Sequence, residues 1–87
     1  MPYRVEVSPA AGRDLRRLPP DVRARLETVV MALADEPRPP GVRKIQGEEQ
    51  ARRVRLGDHR VVYDVLDAEK LVVILHVGRR NERTYRR

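Results

Sequence analysis

The second half of the chain places arginines where folding alone would not put them. Arg53-Val54-Arg55-Leu56, then Gly57-Asp58, then His59-Arg60-Val61-Val62-Tyr63 spell two alternating runs joined by a two-residue turn. With Gly57 and Asp58 as the loop, Leu56 pairs with His59, Arg55 with Arg60 and Val54 with Val61. Side chains alternate across a strand, so Val54, Leu56, Val61 and Tyr63 share a core side, while Arg53, Arg55 and Arg60 share the other. Like charges directly opposite one another destabilise a ladder. An Arg55–Arg60 pair therefore calls for an anion lying on it, and guanidinium forks suit phosphate. The expectation is a phosphate-binding face on a sheet.

The elements that must hold this face are legible upstream and downstream of it. Tyr3-Arg4-Val5-Glu6-Val7 alternates and predicts a first strand. Ser8-Pro9 pairs an N-cap residue with a proline at the first helical position, opening a short helix with Ala11, Leu15 and Leu18 at helical spacing. Pro19-Pro20 ends it. Pro20-Asp21 opens a second helix whose Val22, Leu26, Val29, Val30 and Leu33 form one stripe. Residues 35–41, with Pro37, Pro39 and Pro40, cannot continue a helix and predict a stiff connection. Val42 to Gly47 leads into the paired strands. Asp67-Ala68-Glu69-Lys70 reads as a turn, and residues 71–77 as a strand buried on both faces at the sheet centre. The predicted fold is α+β: strand, helix, helix, then three antiparallel strands and a basic C-terminal tail. Both helices are expected on one face of the sheet, leaving the arginine face free for a ligand.

Composition narrows the class. At 87 residues the chain has room for one small domain, residues 1–87. The formal net charge is +6, unevenly placed. Residues 1–40 carry seven basic and six acidic side chains, whereas residues 41–87 carry twelve and seven. From Arg79 onward five arginines stand against Glu82 alone. This asymmetry favours a polyanionic partner. Only Lys44 and Lys70 among the 19 basic residues are lysines. No cysteine and two histidines argue against disulfides and a zinc site, so neither metal nor cofactor is expected. No apolar run reaches membrane-spanning length and the start is polar, which predicts a soluble cytoplasmic protein without a membrane partner.

Several stretches resemble the RelE/ParE family of bacterial toxins from type II toxin–antitoxin pairs. They are the opening "YRVEVSPAAGRDLRRLP", the connector "DEPRPPGVRKIQG", the hairpin "RRVRLGDHRVVYDV" and the close "VGRRNERTY". The resemblance implies the RelE-like fold and, for the RelE branch, a ribosome-dependent endoribonuclease that cuts mRNA and inhibits translation. Positions matching that branch's site are Arg53 and Arg55, Arg60, Arg80 and Tyr85; Lys44, Arg79 and Arg83 are read as RNA-backbone contacts. The implied reaction needs no metal: the 2′-hydroxyl attacks the adjacent phosphate, and guanidiniums hold the charge that develops. Arginine never deprotonates here, so Arg53 and Arg55 suit charge stabilisation better than proton transfer. Tyr85, in a run of polar residues, is placed for general-base work or for stacking on a base. His59 and His76 read as structural. The implied partners are a cognate antitoxin, the ribosome and mRNA, with operator DNA reached only through the antitoxin. Two alternatives stand beside this one: a ParE-like inhibitor of DNA gyrase, and an RNA-binding relative without catalysis.

Overall fold

A computed structural model of the chain describes residues 2–40, 42–44 and 51–79, with residues 43 and 44 described by their backbone alone. The order is β1 (Arg4–Val7), α1 (Pro9–Arg16), α2 (Pro20–Ala32), β2 (Arg43–Lys44), β3 (Ala51–Leu56), β4 (His59–Leu66), a 3-10 turn (Asp67–Glu69) and β5 (Leu71–Arg79). The five strands lie in the order β1-β5-β4-β3-β2. The α+β expectation and its three successive antiparallel strands hold. Two features go beyond it. Strand β1 lies parallel to β5, and the approach to the hairpin adds the two-residue edge strand β2, antiparallel to β3.

Local chemistry explains the helix boundaries. Ser8 Oγ accepts the Ala11 N–H at 3.1 Å, satisfying one of the amides a helix start leaves open, and Pro9 follows with its ring-fixed φ. The same hydroxyl donates to the Leu75 carbonyl at 3.3 Å, which pins the helix start to β5. In α2, Leu26 and Val30 are buried, with Leu33 just beyond, while Val22 packs partly against the core. Complete burial of a leucine such as Leu26 contributes about 2 kcal/mol.

The helices cover one face of the sheet. Ala11, Leu15, Leu26, Val30 and Leu33 meet Val61, Tyr63, Val65, Val72, Ile74 and Val77 in a single apolar cluster. Between Val62 and Tyr63 the β4–β5 register shifts: Val62 pairs with His76 and Tyr63 with Ile74, so Leu75 is an extra residue. This bulge explains how Ile74 and Val77, three residues apart, are both buried in that cluster. Strand β5 is not buried on both faces, however. Leu71, Val73 and Leu75 are only half-buried, because the described helices cover just one side.

Tyr63 is fully buried and donates its hydroxyl to the Pro37 carbonyl at 2.7 Å. Burial pushes its phenol up to about 12. That bond ties the proline-rich connection to the sheet. A second tie is built on Asp67, which accepts from Arg38 Nη1 at 3.2 Å, from Arg38 Nη2 at 2.9 Å and from the Tyr3 hydroxyl. Lys70, at φ 52°, places its ammonium 5.4 Å from the Tyr3 ring centre.

Candidate functional site

The hairpin that carries the arginines has the expected register. Leu56 pairs with His59, Arg55 with Arg60, and Val54 with Val61. Gly57 has φ +58° while Asp58 stays at negative φ, the pattern of a II′ turn, whose twist suits two strands joined by two residues. Because the loop is this short, slippage by one residue would send Val54 and Val61 to solvent. The opposition of Arg55 and Arg60 is thus held by local geometry and by the core behind it.

On the face away from the helices the sheet presents two transverse rows. Arg53, Val62 and His76 are paired in turn across β3, β4 and β5, as are Arg55, Arg60 and Gly78, and the backbone of Arg43 in β2 pairs with Arg53. Glycine at 78 leaves the position beside Arg60 without a side chain. Gly78 itself is buried.

This face is less open than the sequence led us to expect. Arg55 is exposed and Arg53 half-buried, but Arg60 is only 6% exposed, Val62 1% and Asp64 8%. The reason is position. Arg60 lies on the middle strand of the sheet, with a neighbouring strand on each side to cover it. Arg60 and Asp64 each have an interaction partner. Arg53 and Arg55 enter no ion pair among the described residues, and the Nε of Arg53 is buried without a hydrogen-bond partner.

Arg79 is exposed at the end of β5 and pairs with His59, placing it one step along from Gly78; it too has a partner. Lys44 lies in β2 opposite Arg52. Arg80, Arg83 and Tyr85 lie outside the described residues.

Asp14, not a site candidate from the sequence, sets the environment of His76. The His76 side chain is not sealed within a strand. Its Nδ1–H donates to Asp14 Oδ2 at 2.9 Å, and the Val77 N–H donates to the same oxygen at 3.0 Å. The carboxylate thereby orients the ring. The other ring nitrogen, Nε2, is buried without a hydrogen-bond partner. A signal for Asp14 did exist, as an acid one position before the core residue Leu15 in a helix otherwise rich in arginine. Its target, 63 residues away, did not show.

No group of three or more metal-ligating side chains occurs among the described residues, and no described helix is long and apolar enough to cross a membrane. The arrangement suits an anion bound by guanidiniums.

Comparison with known proteins places this geometry. The family model described as ParE toxin of type II toxin-antitoxin system, parDE, matches residues 5–84. Toxin RelE of Mycobacterium tuberculosis is 37% identical over 81 residues, covering 92% of this chain and 84% of that protein. Toxin RelG of the same organism is 38% identical over 91 residues, covering 100% of each. Among solved structures, the toxin–antitoxin complex RelBE2 from Mycobacterium tuberculosis matches with TM-score 0.80 and 31% identity over 92% of this chain and 100% of that one. The archaeal RelE–RelB complex from Pyrococcus horikoshii OT3 matches with TM-score 0.82 and 32% identity over 95% and 100%. The helix pair on one sheet face, the arginine-bearing hairpin and the family model over nearly the whole length agree: this chain belongs to the RelE/ParE family, the toxins of type II toxin–antitoxin systems.

Proposed function

We propose that this toxin is a ribosome-dependent endoribonuclease that cleaves mRNA without a metal. The observation that carries the reading is the directly opposed Arg55–Arg60 pair, with Arg55 exposed and in no ion pair among the described residues. The exposed Arg55 faces a second guanidinium directly across the ladder, and cations so placed favour an anion bound at Arg55. The phosphodiester supplies that anion. Its 2′-hydroxyl attacks the neighbouring phosphorus, the bond to the 5′-oxygen breaks, and a cyclic phosphate and a free 5′-hydroxyl result. Arg53, Arg55 and Arg60 stabilise the extra charge of the transition state, each donor contributing about 3 kcal/mol in a site closed to water. Arg80 and Tyr85 complete the set: Tyr85 is the general base that takes the 2′-hydroxyl proton, Arg80 steadies the leaving 5′-oxygen while water delivers its proton, and Lys44, Arg79 and Arg83 hold the flanking backbone.

Partners accompany this reading. A cognate antitoxin would wrap the domain with its C-terminal segment and cover the basic face, as the pairing of toxin with antitoxin in the related complexes suggests. Operator DNA is met only through that antitoxin. The toxin itself meets the ribosome and the mRNA in the cytoplasm.

The test is to map 5′ ends of a reporter mRNA after induction. Cuts are expected inside the translated frame, lost when initiation is blocked and lost with Arg55→Ala. Undiminished cleavage by Arg55→Ala would overturn the reading. The ParE description of the matching family model favours a second reading, inhibition of DNA gyrase. That reading predicts a DNA-damage response on induction with mRNA left whole.

A further inference from the structure

Strand β1 ends with Val7 opposite Ile74, while β5 runs on to Arg79. Beyond Ile74 the side of β5 that β1 had paired faces the C-terminal end of α1, and a cleft of about 430 Å³ opens there. Asp14, Arg17, Leu18, His76, Gly78 and Arg79 line it. Asp14 lines it with its Oδ2 engaged by the Val77 N–H and the His76 Nδ1–H. Arg17, the exposed C-cap residue of α1, enters no ion pair among the described residues. A cation at a helix C-terminus is favourable in its own right. That accounts for a basic residue at this position, but not for the cleft beside it. Leu18 offers an apolar surface, and Gly78 contributes backbone alone.

The location of the cleft is what gives it meaning. Gly78 pairs with Arg60, and Arg60 with Arg55, so the cleft stands at the end of the row that begins with the opposed arginines. Two strand spacings, roughly 10 Å, separate Arg55 from Gly78 along that row. Single-stranded RNA is recognised by splaying bases out of the stack, against side-chain planes and apolar walls, with cations along the backbone. We propose that this cleft is a nucleotide subsite. It takes the residue of single-stranded RNA next to the phosphate bound at Arg55 and Arg60, with the base against Leu18 and Gly78 and the backbone phosphate on Arg17. The proposal rests on the ribonuclease reading above and extends it to a part of the molecule that the hairpin arginines do not reach.

The experiment measures binding of a short fluorescein-labelled oligouridylate by the intact toxin across a salt series. Arg17→Ala is compared with Arg25→Ala, which removes an exposed cation from α2, and with Arg55→Ala. Loss of one charge-assisted contact makes Arg17→Ala bind about tenfold more weakly. It also flattens the slope of log affinity against log salt by about 0.7. Arg25→Ala leaves both unchanged. An Arg17→Ala protein that binds as Arg25→Ala does, while Arg55→Ala binds more weakly, overturns the subsite and leaves the ribonuclease reading intact. If Arg55→Ala also binds as wild type does, both fall. Rescue of affinity and slope by Arg17→Lys would separate a phosphate contact from a change in helix stability, since lysine restores the charge.

Discussion

Two groups of charge stand at opposite ends of β4, and they are built on opposite terms. Past its C-terminal end Arg38 meets the carboxylate of Asp67 with two hydrogen bonds, and Tyr3 adds a third. Near its N-terminal end Arg55 meets another arginine, Arg60, directly across the ladder. The first group is complete in itself and fastens the proline-rich connection to the turn between β4 and β5. In the second, Arg55 enters no ion pair among the described residues and, on our proposal, meets its anion in the substrate. A chain able to set a carboxylate against Arg38 has not set one against Arg55. The difference separates Arg38, a cation that holds the fold, from Arg55, a cation that awaits a ligand.

The contrast can be broken most decisively at Arg55. On the proposed function, Arg55→Ala lowers cleavage of translated reporter mRNA by about a hundredfold or more, the usual cost of losing one donor to a transition state. Circular dichroism should find the fold unchanged. Midway along β4, Tyr63→Phe removes the bond to the Pro37 carbonyl and should lower unfolding free energy by about 1 kcal/mol in a urea titration, with cleavage preserved. A cation awaiting its ligand contributes little to holding the fold. Accordingly, the stability of Arg55→Ala should lie within about 0.5 kcal/mol of wild type, or above it, because a like-charge pair is relieved. A clear loss of stability would place Arg55 among the structural cations and remove the contrast.

The smallest effect concerns pH. The hydrogen bonds from Arg38, then that from Tyr3, pull the Asp67 carboxyl down to about 2 from the usual 3.8. A carboxyl more acidic in the folded chain than in the unfolded one adds stability that is fully present above about pH 4 and fades as pH falls toward 2. Asp67→Asn should therefore flatten the acid limb of the stability profile in that window while leaving activity untouched. Its side chain is 56% exposed, so the change is small and shrinks further in high salt. An unaltered acid limb would show that the Arg38 contact does not hold the connection.

Much of the hairpin could be read residue by residue, because its determinants are neighbours in the chain. A two-residue Gly-Asp loop dictates which residues face each other, and alternation then assigns their faces. Ser8-Pro9 and the stripe from Val22 to Leu33 located the helices for the same reason. The edge strand β2 escaped notice because two residues carry no period. The setting of His76 was misjudged because a bulge at Leu75 resets the alternation of β5 and because its partner, Asp14, belongs to another element.

By itself, then, the sequence determined the local pairings and their charges: Arg55 against Arg60, a capped first helix, and an apolar stripe seeking a sheet. These follow from steric and hydrogen-bonding rules that act over a few residues. Only the tertiary structure decided that β1 lies parallel to β5 and stops short of its end, that Arg60 is buried while its cross-strand partner Arg55 is exposed, and that Asp14 reaches His76. Burial and cross-chain contact depend on which elements pack together. That outcome is set by the sum of many apolar contacts rather than by any neighbouring pair of residues.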